Sequence, residues 1–86
     1  RRGRHPKEEV LGVVIDGTAK AYPFEELAPS KGKVRDTIAG RSVIVHFDDE
    51  HERAWVTDDA GERLPGVISF WFAWYAFHPD TQVWDD

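Results

Sequence analysis

The segment ISFWFAWYAFH, residues 68–78, carries six aromatic rings in eleven residues and constrains the fold more than any other part of the chain. As a helix it is about 16 Å long, whereas a membrane crossing needs about 20 apolar residues, so it does not span a bilayer. As a strand it would be apolar on both faces, which requires cover on both sides. Eleven residues is long for a strand and ordinary for a helix, so we predict a helix over 68–78.

Both ends of this predicted helix carry sequence signals. Ser69 is a residue type that commonly caps a helix N-terminus. Pro79 disfavours helical geometry at the residue before it, so we expect the helix to end at His78. At helical spacing, one apolar stripe consists of Ile68, Trp71, Phe72 and Tyr75, and a thin face that permits close approach consists of Ser69, Ala73 and Ala76.

A helix that is apolar nearly all round needs cover on more than one side. One side can pack on a sheet of the same chain. The other side can be covered by a loop, by a second subunit or protein partner, or by a ligand, because exposed aromatic patches commonly mark interaction sites. The residues that we expect to contribute to such an interface or ligand surface are Phe70, Trp71, Trp74, Phe77 and His78.

Length and composition indicate one small domain. A chain of 86 residues is too short for two ordinary domains, so we assign residues 9–86 to a single domain and residues 1–8 to a flexible basic arm. The sequence contains no cysteine, which excludes disulfides and thiolate ligands. Its core must come from side-chain packing, to which large aromatic rings contribute strongly.

The charge distribution argues against nucleic-acid binding. The formal net charge is −5, but four of the basic residues lie within residues 1–7. From residue 8 onward, 7 basic residues face 16 acidic ones, a net charge of −9 that repels phosphates. Arg1 and Arg2 resemble the start of a secretory signal, but no apolar segment follows, so we predict no signal peptide and assign no compartment.

Turn signals divide the first two thirds of the chain into hairpins. Asp16-Gly17 is a strong signal for a two-residue hairpin turn, and Gly40 is suited to a second one. The predicted strands are residues 10–15, 18–24, 34–38, 42–48 and 53–57. We therefore predict an α+β fold, in which antiparallel hairpins form one curved sheet and the aromatic-rich helix packs on it.

A histidine-rich and acidic stretch follows the fourth predicted strand. His46, Asp48 and His51 lie within six residues, and two imidazoles with a carboxylate are suitable ligands for zinc or another divalent metal. The alternative is a solvated acidic hairpin tip that carries ordinary histidines. The spacing matches no established metal signature, so the two interpretations stay open.

Two further polar groups admit structural and functional interpretations. Asp36 and Arg41 flank the second hairpin, where they form either an acid–cation pair in a cleft or a cross-strand ion pair. Tyr22 is expected to pack the first hairpin on the core, with its hydroxyl bonded to a partner.

Three segments taken together resemble a known family. They are GVVIDGTAKAYP (12–23), VRDTIAGRSVIV (34–45) and FWFAWYAFHPDT (70–81). Together they are similar to the family catalogued as domain of unknown function 3179, over most of residues 9–84. The resemblance implies a helix before His78-Pro79, and it implies no reaction.

The chain departs from that family where chemistry would be expected. Many members carry Cys-Pro-x-Cys after the valine-rich strand, a metal or redox element, and the two cysteine places fall here on Asp48 and His51. The resemblance thus implies a degenerate metal or redox site at best. The function that the sequence favours is a non-catalytic binding or assembly module that uses the aromatic helix, with a homo-oligomer or a protein as partner; the alternative is divalent-metal binding at His46, Asp48 and His51.

Overall fold

This computed structural model describes residues 5–85 of the chain, which contain eight strands and two short helices. The strands are β1 (Glu9–Ile15), β2 (Thr18–Pro23), β3 (Lys33–Ile38), β4 (Arg41–Asp48), β5 (Arg53–Thr57), β6 (Arg63–Leu64), β7 (Val67–Phe70) and β8 (Gln82–Val83). The helices are α1 (Phe24–Leu27), which runs into a 3₁₀ turn at Ala28–Ser30, and α2 (Trp71–Phe77). The predicted α+β class is confirmed.

The strands form two four-stranded sheets, with the orders β7–β1–β2–β8 and β3–β4–β5–β6. Every pairing is antiparallel except that of β8, which runs parallel to β2. The prediction placed the hairpins in one curved sheet, but the hydrogen-bonded ladder is interrupted between β6 and β7. Pro65 lies at this interruption, and proline has no amide hydrogen to donate to a ladder. Residues 63–70 therefore form the edge of one sheet and then the edge of the other.

The two predicted hairpin turns are present, and both are of the same kind. Asp16 and Gly17 have φ angles of 50° and 79°, and Ala39 and Gly40 have the same pair of values. Two consecutive positive φ angles define the turn whose twist matches that of the flanking strands. The sequence indicated Gly40 but not Ala39, because alanine rarely adopts this conformation.

The main core lies between the two sheets. Alternate residues of each strand point inward, so each sheet contributes one face. Its buried members are Leu11, Val13, Ile15, Tyr22, Phe24, Leu27, Ile38, Val43, Val45, Phe47, Ala54 and Val56. A smaller cluster on the opposite face of the first sheet contains Val10, Ala21 and Trp74, and this is where α2 packs.

A polar network crosses the core from one sheet to the other. The fully buried Tyr22 donates a hydrogen bond of 2.6 Å from its hydroxyl to Oδ2 of Asp36, and Nζ of Lys20 lies 2.7 Å from the same oxygen. Lys20 and Tyr22 belong to β2, whereas Asp36 belongs to β3. Asp36 is thus paired with Lys20, and not with Arg41 as both interpretations of the sequence had it, because Arg41 lies opposite Ile38 in the ladder.

Helix α2 begins three residues later than predicted, since residues 67–70 extend the first sheet. Ser69 pairs with Val10 of β1 and does not cap the helix. The first helical amides are instead satisfied by the N-terminal segment: Trp71 N–H donates to the Glu8 carbonyl at 2.8 Å, and Phe72 N–H donates to the Pro6 carbonyl at 2.9 Å. Of the predicted flexible arm, residues 1–4 lie outside the described residues, and Pro6 and Glu8 contact α2.

The network at Asp36 generates a prediction about stability. Tyr22→Phe removes a hydrogen bond to a charged acceptor, so we expect the free energy of unfolding to fall by about 1.5–3 kcal/mol. Urea denaturation followed by tryptophan fluorescence measures this change. Thr37→Val on the same strand, where the side chain is exposed, is the control and should change stability by less than about 0.5 kcal/mol.

The same network should make stability depend on acid. Burial alone would raise the pKa of Asp36, but hydrogen bonds from Lys20 and Tyr22 hold that pKa below its ordinary value. A carboxylate with a depressed pKa in the folded state stabilises the fold above its unfolded pKa of about 4, and this stabilisation is lost as the pH falls through the folded value. Asp36→Asn should flatten the decline in stability below about pH 4. An unchanged decline in the variant would contradict the assignment.

Candidate functional site

Trp74 anchors helix α2 to the first sheet. Its side chain is only 5% exposed and packs against Val10 and Ala21. The indole Nε1 donates a hydrogen bond of 2.9 Å to Oγ1 of Thr81, and the ring centroid lies 4.1 Å from that of His78. With its apolar body covered and its single donor satisfied, Trp74 belongs to the interior.

Gly12 makes room for this anchor. The residue lies in the middle of β1, on the face that α2 covers, and a Cβ atom built there would overlap the six-membered ring of Trp74. Glycine inside a strand commonly marks such a close approach. The contact fixes the rotation of α2, because it determines which helical residue points at the sheet.

With Trp74 turned inward, the opposite side of α2 presents aromatic rings to solvent. Phe72 is 52% exposed, Tyr75 51% and Phe77 81%. The ring of exposed Phe70, at the end of β7, stacks on Phe72 with centroids 6.1 Å apart. We call these four residues, Phe70, Phe72, Tyr75 and Phe77, the aromatic surface.

The structure separates the five residues predicted to form an interface or ligand surface. Phe70 and Phe77 are exposed as expected, whereas Trp74 is buried and faces the sheet. Trp71 and His78 are half-buried, and Trp71 packs beside Trp74.

Sequence reasoning missed two members of the aromatic surface. Phe72 and Tyr75 were placed on an apolar stripe of the helix but not among the interface residues, and both are exposed. The signal that could have found them is Gly12, the one residue without a side chain in an otherwise apolar strand. Gly12 makes room for a ring of α2, and because that ring belongs to Trp74, the residues two before and one after it point away from the sheet.

His78 lies between two surface hollows next to α2. One, of about 420 Å³, is lined by residues 17–19 and 77–82; the other, of about 300 Å³, includes Val14, Val67 and Trp74. The imidazole contacts the Trp74 ring, and the backbone amide of His78 donates to the Trp74 carbonyl, which ends the helix. His78 therefore closes α2 as predicted and borders both hollows.

The three residues proposed as metal ligands do not converge. Nδ1 of His51 lies 2.8 Å from Oδ2 of Asp48 at the turn after β4. His46 is engaged elsewhere: its Nε2 lies 3.0 Å from Oγ1 of Thr57, and its ring stacks on Trp55. Within residues 5–85, no group of three metal-binding side chains is placed to hold an ion. Metal binding at His46, Asp48 and His51 stays a prediction, with two of its three residues in contact.

Zinc titration tests that prediction. Because His46 is bonded to Thr57, we expect Zn²⁺ to shift the NMR resonances of the His51 ring and to leave those of His46 unchanged. Saturable heat in calorimetry, with both rings shifting together, would instead show that a three-residue site forms. His78 packs on Trp74 at the outer face of the first sheet, away from Asp48 and His51. Its ring resonances should not shift with Zn²⁺ and serve as an internal control.

A second prediction concerns Gly12. Gly12→Ala should destabilise the fold by about 1–3 kcal/mol, because the added methyl group overlaps Trp74 and the buried ring has little room to move. Chemical denaturation measures the change, and near-ultraviolet circular dichroism reports the displaced indole. Val14→Thr, exposed on the same face of the same strand, is the matched control and should stay within about 0.5 kcal/mol of the parent.

Among the described residues, no helix has the length and apolar character needed to cross a membrane. A comparison of the chain with models of protein families, with curated proteins and with solved structures finds no match. The resemblance to the domain of unknown function 3179 family therefore stays a prediction that rests on the three segments in which it was seen.

Proposed function

We propose that this chain is a non-catalytic binding or assembly module, and that it docks a second copy of itself or another protein through the aromatic surface. The observation that carries the proposal is the arrangement of α2. Its inward side is fixed by Trp74, while Phe72, Tyr75 and Phe77 remain at least half exposed on the other side. Tyrosine, tryptophan and phenylalanine are enriched at protein interfaces relative to the rest of the surface.

Several contacts hold this surface in one conformation. The first amides of α2 bond to the Pro6 and Glu8 carbonyls, and the last turn is closed by the His78 amide. The rings also support one another, since Phe70 stacks on Phe72 and Trp71 contacts Tyr75 at 5.4 Å between centroids. A preorganised surface loses little conformational entropy on binding, which favours its use as a docking face.

Charge determines how a second copy would approach. From residue 8 onward the chain carries a net charge of −9, so two copies repel one another at low ionic strength. Docking that is driven by apolar surface against this repulsion should strengthen as salt is added. A basic partner protein would show the opposite salt dependence.

Sedimentation velocity tests the self-association form of the proposal. We expect the sedimentation coefficient of the wild type to rise with concentration, and to rise further at high salt. The double substitution Phe72→Ser with Phe77→Ser should abolish that rise, because it removes two large apolar contacts without touching the Trp74 anchor. Val83→Ser, an exposed apolar position on β8 outside the aromatic surface, is the control and should behave as the wild type.

The outcomes separate the two kinds of partner. A wild type that stays monomeric at every concentration and salt, with the double variant identical to it, would contradict self-association and leave another protein as the docking partner. Self-association that the double variant retains would show that a different surface is used.

A further inference from the structure

A small hollow opens where the two sheets part. Strand β6 pairs with β5 only at Val56 and Thr57, after which the chain turns at Pro65 and continues as β7 of the other sheet. Among the described residues, no strand is hydrogen-bonded to the earlier residues of β5 on that side. The resulting hollow has a volume of about 250 Å³ and is lined by Arg53, Ala54, Trp55, Arg63 and Ile68.

Arg63 contacts Trp55 at the wall of this hollow, and two further side chains support Trp55 from behind. Its guanidinium carbon lies 5.5 Å from the centre of the Trp55 ring, within cation–π distance. The opposite neighbour of Trp55 in the ladder is His46, whose ring is parallel to the indole, with an interplanar angle of 3° and centroids 5.2 Å apart. His46 is fixed in turn by its hydrogen bond to Thr57. The guanidinium is thus supported by a stack of packed groups.

The ion pairs described on this face do not include Arg63. On the outer face of the second sheet, Asp59 is paired with Arg35 at 2.8 Å and Asp48 with His51 at 2.8 Å. Asp48 also lies opposite Arg53 in the ladder, and its pKa is lowered by its hydrogen bond to His51 and by the charge of Arg53. Burial, together with the charges of Lys33 and Arg63, lowers the pKa of His46. Two positive charges, those of Lys33 and Arg63, thus act on the His46 ring.

We propose that this hollow binds a small carboxylic acid with a flat or aliphatic body, whose carboxylate is held by the guanidinium groups of Arg63 and Arg53 while its body packs against Trp55 and Ile68. Guanidinium forks match the two oxygens of a carboxylate. The volume is below that of sites for drug-sized ligands, so one ring or a short chain is the size that fits. The site is separate from the aromatic surface and does not depend on its docking role.

Titration with benzoate, followed by two-dimensional NMR of the ¹⁵N-labelled protein, tests the proposal. We expect saturable shifts at the Trp55 indole, the Arg63 side chain and the Ile68 amide. Benzamide has the same shape without the charge and should cause no saturable shift there. Acetate has the charge without the body and should bind at least about tenfold more weakly than benzoate, because it forgoes the apolar contact.

Matched variants locate the binding groups. Arg63→Gln and Arg53→Gln should each weaken benzoate binding by about tenfold or more, which corresponds to the loss of one charged hydrogen-bonding group. Arg35→Gln, on the same face but paired with Asp59, should leave the affinity unchanged. All three positions are exposed, and the dispersion of each NMR spectrum confirms that the variant is folded.

The proposal is overturned if the wild type shows no saturable shift at the hollow, if benzamide binds as well as benzoate, or if the Arg63 and Arg53 variants bind with the parent's affinity.

Discussion

The hydrogen bond from the Tyr22 hydroxyl to Asp36 joins the two sheets through the core, and Lys20 neutralises the carboxylate that accepts it. Burying this tyrosine without a partner would leave an unsatisfied hydroxyl in a chain that has no disulfide to compensate. Burial, together with the bond to Asp36, also raises the pKa of Tyr22, so its hydroxyl stays protonated and able to donate. The packing of one sheet against the other depends on this polar contact as well as on apolar burial.

The second constraint is the close approach of Trp74 to Gly12, which fixes helix α2 on the outer face of the first sheet. This single contact decides which rings become surface. Had Phe72 or Tyr75 faced the sheet, the exposed side of the helix would have been a different set of residues. The docking function that we propose therefore follows from a glycine in a strand as much as from the aromatic content of the helix.

The molecule presents two surfaces of contrasting chemistry. The aromatic surface is apolar, whereas the outer face of the second sheet carries Arg53 and Arg63 beside a stacked Trp55 and His46. From residue 8 onward, acidic residues outnumber basic ones. Strand alternation nonetheless places Arg35, Arg53 and Arg63 on one face of one sheet, where Asp48 and Asp59 accompany them.

The local sequence determined the hairpins and the end of α2, because two-residue turns and a proline act within a few residues of themselves. Tertiary structure decided where α2 begins, since residues 67–70 satisfy their backbone groups by pairing with β1, which lies more than fifty positions away in the chain. It likewise decided that Asp36 pairs with Lys20, that His46 turns to Thr57 instead of joining Asp48 and His51, and which rings are exposed. Each of these outcomes depends on contacts between strands distant in sequence, and no local pattern specifies which distant partner a side chain will meet.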